Sequence, residues 1–229
     1  MKPIIVLGKG PSAFEVSPNN KVDVATANNT IWLCKNPTYA FFNDIELFWL
    51  CKKEDFKDVK NIVVPSYLHS HWAKEEGIVD GDLTHFYQLS KLFPNWFDHV
   101  DFSLYELHAG DNSKQEEKER TGLENSGVPS LDEWPESTGG TAVSYLSKFL
   151  GYRDFILAGF DVEGGYHPKF IGGGHPKGEK GFNGQGTAAQ PSHLYQNNWD
   201  VCERFAGRYG GTVRHINDIS EEERLDLGI

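Results

Sequence analysis

Short apolar runs bounded by Gly, Asn, Asp or Pro recur along the chain. Residues 4–7 (IIVL), 22–27 (VDVATA), 39–42, 61–65 (NIVVP), 154–159 (DFILAG) and 212–216 have this form. Most are continuously apolar rather than alternating, as strands buried on both faces of a parallel sheet should be. Elsewhere the period lengthens to that of a helix. Residues 141–150 place Ala142, Leu146, Phe149 and Leu150 on one side, and Gly151 follows as a stop. Residues 194–209 place Leu194, Val201, Cys202, Phe205, Ala206 and Tyr209 on one stripe, with Ser192 as N-cap after Pro191. A weaker helical pattern covers 44–52. Strands alternating with helices predict an α/β fold, Rossmann-like, with a largely parallel sheet and flanking helices. One domain spanning 1–229 accounts for the whole pattern.

Two segments break it. Residues 105–137 are polar and acidic and include KQEEKER at 114–120, a solvated face. They predict an inserted polar loop or small lobe. The aromatic residues Trp96, Phe97, Phe102 and Tyr105 beside it either form that lobe's core or line an acceptor cleft. Residues 164–192 are glycine-rich and contain Pro168, Pro176 and Pro191. They are too polar to pack and too long for a simple connector, which predicts a flap. No internal repeat is visible.

Composition narrows the function classes. The chain has 229 residues, 38% of them hydrophobic, enough for a substantial core. A net charge of −11 argues against non-specific grip on nucleic acid or anionic membranes. Cys34, Cys51 and Cys202 are too sparse and too widely spaced for a disulfide framework or a zinc pattern. No apolar run is long enough for a signal h-region or an integral membrane segment. These features predict a soluble cytoplasmic protein.

The candidate chemistry begins at Gly8-Lys9-Gly10-Pro11-Ser12. Ligands of open parallel sheets bind beyond the carboxyl ends of the strands. Gly8 and Gly10 permit positive φ and close backbone approach. Exposed N–H groups there suit a phosphate, with charge from Lys9 and a hydroxyl from Ser12. The competing reading is a plain turn, because the third glycine of the dinucleotide fingerprint is missing. Asp80-Gly81-Asp82 fits a cation-holding D-x-D as well as a common turn. His69 and His71 could join His167 and His175 around zinc, but no spacing is diagnostic. No metal site is therefore assigned.

The segment GKGPSAFEV, taken with STGGTAVSYLSKFLGYRDFILAGFDV at 137–162, resembles the bacterial sialyltransferases of glycosyltransferase family 42. The matching pieces are the Gly8–Ser12 turn, Thr138-Gly139-Gly140 at a helix start, Leu150-Gly151-Tyr152 at its end, and Gly159-Phe160-Asp161 closing a strand. The family's catalytic histidine opens a helix leading to the last strand, and His193 stands there. Asn28 and Asn29 match an asparagine position after the second strand, and Asn43 another after the third. Uncharacterised and pterin-pyrophosphokinase-like proteins share the opening motif. Lys9 replaces a family asparagine, Gly139 a serine and Glu163 one of two tyrosines, while Tyr166 stands for the other.

The resemblance implies a metal-independent, inverting glycosyltransferase with a nucleotide-sugar donor, a CMP-sugar first, and a glycan acceptor. It implies His193 as base, with Tyr166 assisting the departing phosphate. Gly8, Lys9, Gly10, Ser12, Asn28, Asn29, Asn43, Thr138, Gly139, Gly140 and Asp161 would bind the donor. It implies no cofactor, and it suggests homo-oligomers. A helix start would hold the His193 imidazole neutral, ready to take a proton. His193 also suits a capping role, Asn28 and Asn29 suit simple turns, and Asp161 suits accepting backbone N–H bonds. Two alternatives remain: a pyrophosphokinase-like transferase using the same phosphate cradle with Mg²⁺, and a nucleotide-binding module without catalysis.

Overall fold

A computed structural model describes residues 2–16, 21–43, 48, 51–65, 67–69, 83–85, 93–105, 131, 137–161, 170 and 192–229, with backbone only at 67–69, 83–85 and 192–197. The strands are β1 (Ile4–Leu7), β2 (Asp23–Ala27), β3 (Tyr39–Phe41), β4 (Asn61–Pro65), β5 (Tyr67–His69), β6 (Leu83–His85), β7 (Asp101–Tyr105), β8 (Asp154–Ala158) and β9 (Thr212–His215). Seven of them form one sheet in the order β7-β4-β3-β2-β1-β8-β9. Every pairing in it is parallel. β5 and β6 pair antiparallel as a separate ribbon. The fold is α/β and Rossmann-like.

The register follows from burial on both faces. Ile4 and Val6 join one core with Ala25, Phe41, Phe155 and Leu157. Ile5 and Leu7 point the other way and join Val24, Ile156 and Ala158. All four β1 residues are fully buried, as a central strand requires. The first face is covered by α1 (Thr138–Phe149) and α2 (Ser192–Arg208), through Ala142, Leu146, Val201, Cys202 and Phe205. Gly151 ends α1 as expected: its φ is +76°, and the Tyr152 N–H returns to the Leu146 carbonyl at 3.1 Å.

Several elements depart from the apolar pattern, among them the β5–β6 ribbon, which it did not mark. α1 begins at Thr138, where the resemblance put a helix start and three residues before the periodicity's start at 141, because the Ser137 Oγ caps it by accepting the Gly140 N–H at 3.0 Å. α2 begins at Ser192, so this residue lies in the helix rather than ahead of it. β7 was hidden by its polar alternation, DFSLY, which suits an edge strand. α3 (Glu221–Leu227) also escaped the apolar pattern. Its Ser220 cap accepts the Glu223 N–H at 3.2 Å, a pairing legible as S-x-x-E.

The aromatic group at 96–105 belongs to the main sheet rather than to a separate lobe. Trp96, Phe97 and Phe102 pack on a core built from Phe42, Phe48, Phe56, Ile62 and Val64. Tyr105 is fully buried on the opposite face. The predicted loop or lobe at 105–137 and the flap at 164–192 lie almost wholly outside the described residues. So does the 44–52 helix, apart from Phe48, Cys51 and Lys52.

The chain runs outward from β1 through β2, β3, β4 and β7, then returns to the other side of β1 for β8 and β9. The sheet's topological switch point therefore lies between β1 and β8. A crevice opens at this point, beyond the carboxyl ends of the strands.

Candidate functional site

The crevice at the switch point has a volume of about 540 Å³ with its open mouth included. Gly8, Lys9, Ala27, Asn28, Gly159 and Phe160 line it from the strand ends. Ser137, Thr138 and Gly139 line it from the start of α1, and Asn198 from α2. Five of the sequence candidates thus meet here: Gly8, Lys9, Asn28, Thr138 and Gly139.

The glycines of the β1 turn have a different task from the one expected. Neither Gly8 nor Gly10 has positive φ; Gly10 is extended, at φ −72° and ψ 170°. Their N–H groups are occupied as well. Gly8 donates to the Ala158 carbonyl at 2.7 Å and Gly10 to the Gly159 carbonyl at 2.8 Å. The β1–β8 ladder continues into the loops, and the two backbones approach closely. A Cβ on Gly8 would strike the Gly159 carbonyl, and one on Gly10 the Asp161 carboxylate. The left-handed conformations fall instead on Gly159, at φ +80°, and Asn28, at φ +59°.

Ser12 and Asp161 lock this double loop from behind. The Ser12 N–H donates to Asp161 Oδ2 at 3.1 Å, and the Gly159 N–H donates to Ser12 Oγ at 2.8 Å. His215 Nε2 lies 3.3 Å from Asp161 Oδ1 and 3.4 Å from Ser12 Oγ. Burial raises the Asp161 pKa, but hydrogen bonds from His215 and Ser12 outweigh it and hold the carboxyl below its ordinary value. Ser, His and Asp do not form a nucleophilic triad here. One imidazole nitrogen faces both partners, whereas a triad uses opposite ring nitrogens.

The anion-binding potential lies at the start of α1. The Ser137 Oγ takes the Gly140 N–H, and its carbonyl takes the Thr141 N–H at 2.9 Å. The first two helical N–H groups, of Thr138 and Gly139, have no partner among the described residues. Both belong to residues lining the crevice, at the positive end of a 12-residue helix. Gly139 is required by packing, since a Cβ there would enter the Phe160 ring. Gly140 is buried one step further into the helix and does not line the crevice.

Asn28 joins the two walls. Its Nδ2 donates to Thr138 Oγ1 at 2.9 Å. Its Oδ1 is buried and has no partner among the described residues, and neither has Asn29 Oδ1. A buried unpaired amide oxygen costs roughly 1–3 kcal/mol, which a ligand donor could remove. Asn43 is different. Its Nδ2 donates to Thr141 Oγ1 at 3.2 Å, and its Oδ1 accepts the Tyr105 hydroxyl at 2.6 Å. It ties β3 to α1 and β7 and does not line the crevice.

His193 lies in the first turn of α2, and its side chain is outside the described residues. The same helix contributes Asn198 to the crevice. Tyr166, Asp80, Asp82, His71, His167 and His175 all lie outside the described residues, and His69 is described by backbone alone. No three His, Cys, Asp or Glu side chains gather as a metal-holding group among the described residues. Within those residues no helix is long and apolar enough to cross a membrane.

Asn198 and His215 were not singled out from the sequence. His215 lies 203 residues from Ser12, Asn198 lies far along the chain from Gly8 and Lys9 in the same crevice, and no local spacing marks either one. No family model matches the chain, and no curated protein and no solved structure matches it.

Proposed function

We propose that the protein is a metal-independent, inverting glycosyltransferase acting on a nucleotide-sugar donor, sialyltransferase-like, with a CMP-sugar as donor and a glycan hydroxyl as acceptor. The observation that carries this reading is the pair of N–H groups on Thr138 and Gly139 that have no partner among the described residues. They belong to residues lining a switch-point crevice together with Lys9 and Asn28. A helix start with unpaired N–H groups favours a phosphate, and amides such as Asn28 and Asn198 can read hydroxyls or a base.

In this reading the acceptor oxygen attacks the anomeric carbon as the bond from that carbon to the phosphate oxygen breaks. The acceptor proton passes to the imidazole of His193. The nucleotide leaves with the bonding electron pair, and its charge is held at the α1 start, with assistance from Tyr166. One in-line displacement inverts the anomeric centre. A positioned general base contributes about a hundred- to ten-thousand-fold.

The test is a thermal-shift screen with CMP, CDP, UDP and GDP, followed by transfer from CMP-sialic acid in EDTA. Preferential stabilisation by CMP, turnover in EDTA and an inverted product support the reading. Stabilisation by none of the four, or turnover that stops in EDTA and returns with Mg²⁺, contradicts it.

One observation favours a second reading, a nucleotide-binding module without turnover. The Ser12 hydroxyl and the Asp161 carboxylate are engaged within the protein, and Gly139 offers no side chain. That module would bind CMP and leave the donor intact.

A further inference from the structure

We propose that His215 is a positioning residue for the crevice, holding the 159–161 loop through Asp161 so that the nucleotide meets a preformed wall. The inference rests on the nucleotide reading of the crevice. His215 ends β9, the strand beyond β8 and away from the crevice. Its tautomer is set by the chain that follows. The Asn217 N–H donates to Nδ1 at 3.2 Å, so Nδ1 is the bare acceptor and the proton sits on Nε2.

That Nε2–H faces Asp161 Oδ1 at 3.3 Å, while Asp161 Oδ2 accepts the Ser12 N–H. The carboxylate therefore bridges β9 to the β1 turn, with the 159–161 loop between them. The His215 and Asp161 side chains are only 19% and 16% exposed, so water screens the bridge weakly. Phe160 is the next residue back along the loop. Its ring contacts Gly139, and Gly159, Phe160 and Gly139 all line the crevice. A contiguous path thus runs from the imidazole to the helix start that would hold the phosphate. Small displacements of such a supporting layer are enough to loosen a site.

Two near-isosteric variants isolate the bridge. In His215→Asn the short amide reaches the place of Nδ1 and can still accept the Asn217 N–H, but not the place of Nε2. In His215→Gln the longer amide reaches the place of Nε2 and donates to Asp161. Titration calorimetry of the full chain with CMP, CDP, UDP and GDP supplies the affinities, with the tightest wild-type binder as probe. The expected result is about a ten-fold weaker Kd in His215→Asn, since hydrogen bonds to charged groups are the stronger class. His215→Gln should stay within about two-fold of wild type, although each variant loses one hydrogen bond of the imidazole and should melt somewhat below wild type.

A purely structural role predicts lower Tm with unchanged Kd. Equal Kd in wild type and His215→Asn, or equal losses in both variants, would overturn the inference alone. Failure of the wild type to bind any of the four nucleotides would overturn the nucleotide reading and this inference with it. The amide resonances of Gly139 and Phe160 give a second readout in the free protein. They should shift in His215→Asn and return towards wild type in His215→Gln; no shift in either variant contradicts the path.

Discussion

Asn28 Nδ2 donates to Thr138 Oγ1 at 2.9 Å, joining the residue after β2 to the first residue of α1 across 110 positions of chain. The bond spans the crevice wall and carries a conformational demand. Asn28 has φ +59°, which asparagine tolerates far better than most residues.

These two properties separate in mutants. Asn28→Ala loses the bond and strains the backbone, and should cost about 2 kcal/mol of stability. Asn28→Gly loses the bond but relaxes φ, and should cost about 1 kcal/mol or less. Both should weaken CMP binding alike. Urea denaturation gives the first comparison and calorimetry the second. Equal stability losses in the two variants would contradict the left-handed assignment.

At Gly139 the sign of a substitution should depend on Phe160. In the wild type a Cβ collides with the ring, so Gly139→Ala should destabilise by about 1–3 kcal/mol. With Phe160→Ala in the background the space is empty. There the same change should stabilise, by up to about 1 kcal/mol, through alanine's better helix propensity. A double-mutant cycle measures the reversal. Additive effects would contradict the contact.

Gly159→Ala faces two penalties at once: φ is +80°, and the new Cβ would meet the Gly8 carbonyl. Backbone cannot give way as a flexible side chain can, so the loss should exceed about 2 kcal/mol. Differential scanning calorimetry would show it as a marked fall in Tm. A Tm within two degrees of wild type, on the order of a ΔΔG below 1 kcal/mol, would refute the paired-loop geometry.

The strands were legible because each is a short apolar run facing buried layers on both sides, as at Ile4–Leu7. β7 was not, because Asp101 and Ser103 interrupt its apolar residues at a sheet edge. The site was legible in part. Glycines at 8 and 10 and at 139 stand out in any sequence, but their physical cause does not. A phosphate turn and two backbones in contact demand the same residue. Only the fold distinguishes them, through partners near residue 159 that lie about 150 positions downstream of the turn. His215 was invisible for the same reason, since its partner Ser12 is 203 residues away.

Asp161 gives the account a pH signature. Its folded-state pKa is depressed, so its contribution is complete above the unfolded value near 3.8 and is lost as pH falls through the folded value. Asp161→Asn should therefore be less stable than wild type at pH 7, and the gap should narrow below about pH 4. Circular-dichroism melts from pH 7 down to pH 2.5 check this. A gap that stays constant across the range would contradict the depressed pKa.

The most direct measurement is the mapping of CMP onto backbone amide resonances of the ¹⁵N-labelled protein. The account predicts the largest shifts at Thr138 and Gly139, with smaller ones at Lys9 and Asn28. Asp23 and Tyr152, bonded to each other at the opposite ends of the strands, should be unmoved. Shifts centred on those two residues, or none anywhere at saturating CMP, would contradict it.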